Sequence, residues 1–299
     1  MIQEIRIKNY LSFRDEVVLS FEATKDTTFE ECQVVNVTPK VRLLRFALIY
    51  GANASGKSNL LNAMDFLRDF WFDKKSDIDE ETGVVPFLLD TETPNEPSEF
   101  NIKFFVGDKR YWYALVLDDK QVIKEDLYVY NSVQPSLVFS RELDGTASLI
   151  KLNASLVKAN ATIVEQLNVK CLSNMSFFAA RNQVNCSLAY IDEVRDWMKN
   201  NMMPIIEPGT RMFEYAGKQM EKNAELKAYI LDFVHKADYN ITDVYTEREK
   251  VPIPDIVKAT IMEDKDIPEK AKEKMLADNA LERLRTDFQH TVKNKRGEE

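Results

Sequence analysis

Gly51-Ala52-Asn53-Ala54-Ser55-Gly56-Lys57-Ser58 is the stretch that decides how this chain folds. It fits the pattern G-x-x-x-x-G-K-[ST]. Gly51 and Gly56 let the main chain curl where a Cβ would clash. A curl of this kind turns successive N–H groups inward and makes a nest for an anion. A helix starting at its end adds a positive N-terminal dipole to the same place. Lys57 then supplies a mobile positive charge for β- and γ-phosphates, and the Ser58 hydroxyl is a ligand for Mg²⁺. The expected nucleotide contacts are Gly51, Ala52, Asn53, Ala54, Ser55, Gly56, Lys57, Ser58 and Asn59. Lys57 is the expected catalytic residue, Ser58 the metal ligand, and ATP with Mg²⁺ the cofactor pair.

The flanks suit that reading. Leu43-Leu44-Arg45-Phe46-Ala47-Leu48-Ile49-Tyr50 is almost wholly apolar, which predicts a strand buried on both faces of a sheet and ended by Gly51. Downstream, Leu60, Leu61, Met64, Leu67 and Trp71 recur at helical spacing, and Ala63, Phe66 and Phe70 widen the stripe. A largely buried helix over 58–72 follows. An incidental glycine turn lacks such neighbours.

Working outward, Ile5 and Ile7 alternate with Arg6 and Lys8 as in a half-buried strand, and 17–21 reads as a second. Residues 73–100 are acidic, contain three prolines and predict a loop. Residues 100–106, 111–117 and 122–130 are rich in β-branched and aromatic residues, with turn composition at 107–110 and 118–120, so they predict an antiparallel meander. Short strands at 137–139 and 148–151 flank Gly145. Helical periodicity marks 155–169, 188–203, 223–235 and 267–289, with proline breaks at 204–208 and 252–254. The expected fold class is α/β: a P-loop NTPase with an antiparallel β-meander and a C-terminal helical region. The expected domains are 1–152, the P-loop and meander lobe, and 153–299, a mainly helical arm.

Bulk properties exclude several classes. The chain has 299 residues and a net charge of −9. A dedicated nucleic-acid binder shows a basic surplus, so any nucleic-acid contact is left to a local patch such as Lys293-Asn294-Lys295-Arg296, which is more simply a solvated end. No run approaches the roughly 20 apolar residues of a membrane helix, and no secretory leader is visible, so a cytoplasmic protein is expected. Cys32, Cys171 and Cys186 are scattered and odd in number, which suits reduced, buried thiols. His235 and His290 are too far apart in sequence to suggest a zinc pair.

The residues around the loop resemble a family. Asn53, Asn59-Leu60-Leu61 and the opening Ile5-Arg6-Ile7-Lys8-Asn9-Tyr10-Leu11-Ser12-Phe13 are similar to the SMC/RecF/OLD-like branch of ABC-type ATPases, and to bacterial AAA family ATPases related to anti-phage and abortive-infection systems. Ala237-Asp238-Tyr239-Asn240-Ile241 resembles a recurring stretch of that group. Many relatives carry Arg or Lys where this chain has Leu11, so that nucleotide contact is not assigned. The resemblance implies a signature motif of the Ser-x-Gly type and an apolar strand ending in Asp-Glu, both placed after a helical arm. No Ser-x-Gly occurs in this sequence. Two stretches mimic the acidic strand. Leu188 to Glu193 is better read as an amphipathic helix whose acids face solvent, and Ala114 to Asp119 as a strand entering a hairpin turn. The expectation is a truncated or split product whose C-terminal ATPase half lies elsewhere.

Three functions are then weighed. One is an ATP-driven switch in which an ATP-dependent homodimer or complex forms through that missing half and moves an effector protein. A GTPase lacks its Asn-Lys-x-Asp, the nearest string being Asn294-Lys295-Arg296-Gly297, and a small kinase lacks a basic lid after the loop. A non-catalytic nucleotide-binding module or remnant is the third.

Overall fold

The computed structural model describes residues 1–210, 212–237, 240–263 and 279–291, together with Lys272, Glu273, Leu276 and Ala277. The chain divides into two compact units, Met1–Ile205 and Ile206–Glu299.

The first unit is built on a seven-stranded antiparallel sheet. Its strands are β1 (Ile2–Lys8), β2 (Val17–Ser20), β5 (Ser98–Val106), β6 (Lys109–Leu117), β7 (Val122–Tyr130), β8 (Ser136–Asp144) and β9 (Ala147–Leu152), in the spatial order β2-β1-β5-β6-β7-β8-β9. Between β2 and β5 in sequence come α1 (Glu30–Gln33), the hairpin strands β3 (Val34–Thr38) and β4 (Val41–Leu44), and α2 (Lys57–Phe70). Antiparallel pairing explains the alternation along each strand, because one face meets helices and the other meets water. The register aligns a single row across five strands: Ile5 opposite Ile102, Ile102 opposite Tyr113, Tyr113 opposite Leu127, Leu127 opposite Phe139. All five side chains are fully buried. The outer face carries half-exposed pairs such as Trp112 and Tyr128, stacked with ring centres 4.6 Å apart.

Helix α2 buries Leu60, Ala63, Leu67 and Phe70. It sits over β5 and β6, where Phe66 stacks on Phe100 at 5.2 Å and Trp71 meets Tyr113 edge-on at 5.6 Å. Beyond β9 come α3 (Ala161–Lys170), α4 (Phe177–Arg181) and α5 (Ile191–Asn201). They complete the same core: Phe177 lies 4.0 Å from Phe139, and Trp197 stacks on Phe104 at 4.3 Å.

In the next row of the sheet, Leu115 faces Glu125 and Glu125 faces Arg141. Both charged side chains have 0% exposure, with a 3.5 Å contact between Arg141 Nη1 and Glu125 Oε2. Such burial is tolerated only when every polar atom finds a partner. Glu125 accepts from Tyr113 Oη at 2.9 Å, Ser176 Oγ at 2.8 Å and the Phe177 N–H at 2.8 Å. Arg141 donates to Ser148 Oγ and to the carbonyls of Leu172 and Ser173. Burial pushes the Glu125 carboxyl up, and Arg141 with the three donors pulls it back. This network ties β7, β8 and β9 to the segment that leads into α4.

The second unit contains α6 (Phe213–Lys222), α7 (Ala224–Lys236), α8 (Asp255–Glu263) and an antiparallel pair, β10 (Ile241–Pro252) with β11 (Ala280–His290). Asn223 Oδ1 accepts from the Leu226 N–H and starts α7 as an N-cap. The helix expected over 267–289 is corrected here: residues 280–290 are a strand. Leu281, Leu284 and Phe288 do fall at helical intervals, but eleven register pairs with β10 outweigh that local preference. The basic run 293–296, the Asn294 to Gly297 string, and Asp238 with Tyr239 of the resembling stretch lie outside the described residues.

Among the described residues no helix is long and apolar enough to cross a membrane. Cys171 is buried and its thiol is pushed up by burial, whereas Cys32 is exposed, which corrects the expectation that all three thiols are buried.

Candidate functional site

The glycine-rich segment leads into α2 as the spacing predicts. Gly56 is the N-cap residue at φ +89°, and Lys57, Ser58 and Asn59 form the first turn. The N–H groups of a first turn have no carbonyl within their own helix. No acidic residue occupies that turn, so nothing there competes for the positive end of the helix. Ala54 also adopts the left-handed region, at φ +61°. Two left-handed residues bracketing Ser55 turn the loop back on itself.

Gly56 is required by contacts as well as by its left-handed backbone, whereas at Gly51, which is not left-handed, an added Cβ would press on the end of the Ser55 side chain. A Cβ on Gly51 would lie 2.7 Å from Ser55 Oγ, and one on Gly56 would lie 2.8 Å from Phe13 Cε1 and 2.9 Å from Ser12 Oγ. The loop is therefore roofed by the turn between β1 and β2. That turn is held tight: Asn9 and Leu11 have φ of 52° and 50°, and Tyr10 and Phe13 exchange main-chain hydrogen bonds of 2.9 and 2.8 Å. It docks on the helix through Asn59 Nδ2, which donates to Ser12 Oγ at 2.8 Å, and through Tyr10 Oη, which donates to the Asn62 carbonyl at 3.3 Å. Ser12 and Phe13 belong to the opening stretch that carries the resemblance, yet they lie outside the expected nucleotide contacts. The available signal was their place after the strand Ile5–Lys8; their contact with Gly56 needs the fold.

Lys57 folds back over its own loop. Its Nζ donates to the carbonyls of Gly51 at 2.9 Å and Ala52 at 2.6 Å, and it reaches Ser55 Oγ at 3.5 Å. The ammonium thus sits inside the curl, on neutral acceptors that an anion can replace. Ala52, Asn53, Ala54, Ser55 and Ser58 are exposed around it. The residues fit a phosphate group: a concave run of main chain that a Cβ would obstruct, a helix start free of carboxylates, and a lysine held only by carbonyls and a hydroxyl.

The entry to the loop is a correction. The strand expected over 43–50 is formed only as far as Leu44. Leu43 is fully buried, but Phe46, Leu48, Ile49 and Tyr50 are exposed. A strand buried on both faces requires neighbours on both edges, and among the described residues no strand pairs with 46–50.

The two acidic mimics have other work. Asp118 Oδ1 accepts from the N–H groups of Lys120 and Gln121 and shapes the β6–β7 hairpin. Asp192 and Glu193 stand in the first turn of α5, which is the helix predicted there. They are not simply a solvated face. Asp192 accepts from the Leu188 N–H and pairs with Arg181 at 2.8 Å, and Glu193 takes Lys109 at 2.7 Å and Tyr111 Oη at 3.0 Å. Among the described residues no group of three or more His, Cys, Asp or Glu side chains is placed to hold a metal ion.

Comparison with known proteins adds one positive finding. Residues 46–151 match the family model described as "AAA domain, putative AbiEii toxin, Type IV TA system", a span of about a third of the chain. No curated protein and no solved structure matches. The matched span starts at Phe46, includes the whole glycine-rich loop and α2, and ends in β9. The stretch that holds the loop is similar to a P-loop ATPase-type AAA domain, and the mixed α/β fold with its large antiparallel sheet agrees with such a domain.

Proposed function

We propose that this chain binds Mg·ATP at Gly51–Asn59 and forms part of an ATP-driven switch of the SMC/RecF/OLD-like kind, in the setting of bacterial abortive infection or another anti-phage response. The observation that carries the reading is Lys57 Nζ seated on the Gly51 and Ala52 carbonyls inside a curl closed by Gly56 at +89°. Main-chain N–H groups from Ala54 to Asn59 would surround the phosphates. Lys57 would exchange its carbonyl partners for phosphate oxygens, and the Ser58 hydroxyl would face the metal. Bound Mg²⁺ supplies charge neutralisation between the phosphates. The nucleotide-holding lobe, expected over 1–152, would extend through the first compact unit to Ile205, because α3, α4 and α5 complete its core, and the arm expected over 153–299 would be confined to the second unit, Ile206–Glu299. The setting rests on the description of the matched family and on the resemblance of the motifs, not on the geometry of the loop.

Hydrolysis requires more than this chain's residues. Asp118 and Glu193 are committed to a hairpin and to Tyr111, and no Ser-x-Gly is present. A partner polypeptide carrying those motifs would face the loop and complete the site, so turnover would be a property of the assembly. The test is a competition titration of ATP against GTP on the full chain, followed by steady-state turnover. ATP preference with turnover close to background supports the reading. Equal affinity for GTP, or vigorous multiple turnover by the chain alone, contradicts it.

A further inference from the structure

Asn9 follows the last residue of β1 and opens the turn that roofs the glycine-rich loop. It is fully buried, and its φ of 52° is one that asparagine tolerates better than most residues. A buried carboxamide needs partners for its polar atoms. Nδ2 donates to the carbonyls of Thr93 at 2.9 Å and Glu96 at 2.7 Å, and Oδ1 accepts from the Phe87 N–H at 2.8 Å. The Asn9 carbonyl accepts from Ser98 Oγ. These partners lie in a strap, residues 84–97, or directly after it. A main-chain bond from the Leu11 N–H to the Val85 carbonyl at 2.9 Å ties the same strap to the turn. The strap is braced from within: the Asp90 carboxylate accepts from the Thr93 N–H at 2.7 Å and from Thr93 Oγ1 at 2.6 Å, which sets the carbonyl that Asn9 holds.

The tip of the turn has little packing of its own. Ser12 and Arg14 are exposed, and Leu11 and Phe13 are only half-buried. Hydrogen bonds therefore set where it stands. On one side they run to the strap through Asn9 and Leu11; on the other they run to α2, from Asn59 to Ser12 and from Tyr10 to Asn62. Between the two sets, the Phe13 ring and the Ser12 hydroxyl close over Gly56. We propose that Asn9 is a positioning residue of the nucleotide site: its carboxamide carries the order of the strap to the roof, so that residues 84–97 and 51–59 tighten together when Mg·ATP binds. This rests on the reading that the loop holds Mg·ATP, and it names the element of the chain that regulates that site. None of the hydrogen bonds of Asn9 reaches 51–59, so its influence passes wholly through the turn. Few residues meet the requirement. Aspartate keeps the acceptor for Phe87 but sets a carboxylate against two carbonyls, and glycine keeps the left-handed backbone but brings no amide. The coupling is reciprocal: if the strap favours nucleotide, nucleotide orders the strap.

The test uses the full chain and Mg·ATP, well below the melting transition of every variant. Asn9→Gly should weaken Mg·ATP binding by about 10-fold or more, within the usual range for coupled sites. The control is Asn153→Gly. Asn153 is a like clamp after β9, at the opposite edge of the sheet, where Nδ2 donates to the Leu137 carbonyl at 2.8 Å and Oδ1 accepts from the Ser155 N–H at 3.0 Å. Its loss should lower the melting temperature but leave Mg·ATP affinity within about twofold, because no shared partner links it to the loop. In the unsubstituted chain, saturating Mg·ATP should slow hydrogen exchange at the Phe87 and Glu96 amides by about fivefold or more, and Asn9→Gly should erase that slowing. An Asn9→Gly affinity within about twofold of the unsubstituted chain, an equal fall for Asn153→Gly, or exchange at Phe87 and Glu96 that ignores Mg·ATP each overturns the inference. If Asn9→Gly does not fold, the exchange in the unsubstituted chain decides, beside Asp90→Ala, which loosens the strap at an exposed carboxylate and should weaken Mg·ATP binding by about threefold; unchanged affinity there also overturns the inference. Absence of Mg·ATP binding by the unsubstituted chain rejects the nucleotide reading itself, whereas binding that Asn9→Gly leaves unchanged rejects only the role of Asn9.

Discussion

Asn59 Nδ2 donates a 2.8 Å hydrogen bond to Ser12 Oγ, joining the first turn of α2 to the turn between β1 and β2, 47 residues away in sequence. Asn59 Oδ1 in turn accepts from Asn62 Nδ2 at 3.3 Å, which fixes its amide. The bond holds the roof of the glycine-rich loop against the helix that starts it. Ser12→Ala removes one ordinary hydrogen bond, about 1 kcal/mol. Mg·ATP affinity should fall by about 3- to 10-fold with little loss of thermal stability, measured by calorimetric titration beside a melting curve.

Gly56 and Gly145 make a controlled pair. Both have positive φ, at 89° and 64°, but an added Cβ has nothing within 4 Å at Gly145, whereas at Gly56 it meets Phe13 and Ser12. Gly145→Ala should cost only the left-handed penalty, about 1 kcal/mol. Gly56→Ala adds displacement of the roof and should lower both stability and nucleotide affinity more. Urea unfolding of the two variants checks the order; equal losses would show that the roof is not packed as described.

Glu125 and Arg141 predict an asymmetry. Arg141→Met leaves a carboxylate buried without its counter-charge and should destabilise the first unit by about 3–5 kcal/mol. Adding Glu125→Gln should recover part of that loss, because no uncompensated charge remains. Denaturation midpoints of the single and double variants measure this.

Glu4 sets an acid limb. Its carboxyl is lowered from 4.5 to about 2, first by the hydrogen bond from Arg6 and also by Lys103. A depressed carboxyl contributes stability that is present above the unfolded value and lost as pH falls through the folded one. Thermal stability should therefore decline between about pH 4.5 and 2, and Glu4→Gln should flatten that part of the decline. The check is melting temperature against pH for both proteins.

The acidic mimics give a negative prediction. Asp118→Asn should leave Mg·ATP affinity unchanged, since Asp118 caps a hairpin. Glu193→Gln should do the same while weakening the tie from Tyr111 and Lys109. A drop of more than about tenfold in affinity for either, well beyond the ~1 kcal/mol of one hydrogen bond, would place a carboxylate at the metal.

Local patterns were legible where local physics decides the outcome. The glycine spacing, the stripe from Leu60 to Phe70 and the β-branched and aromatic runs at 100–106, 111–117 and 122–130 all reappear as the loop, α2 and the meander. Long-range pairing was not legible. Apolarity at 46–50 predicts burial, but burial needs neighbours, and the composition of a segment says nothing about whether they are supplied. Ala280–His290 carries helical spacing and pairs as a strand because a twelve-residue partner runs beside it. The Glu125–Arg141 pair was invisible for a related reason: two charges in a strand pattern look solvent-facing until the register sets them opposite each other inside the sheet.

The central claim is that Gly51–Asn59 grips Mg·ATP through its main chain and Lys57. Isothermal titration of Mg·ATP into the full chain, beside Lys57→Ala, tests it most directly. Loss of a charge-assisted contact worth about 1.5–3 kcal/mol should weaken binding by about 10- to 150-fold, with the melting temperature without nucleotide nearly unchanged. No measurable Mg·ATP binding by the unsubstituted chain, or equal affinity for the variant, would contradict it.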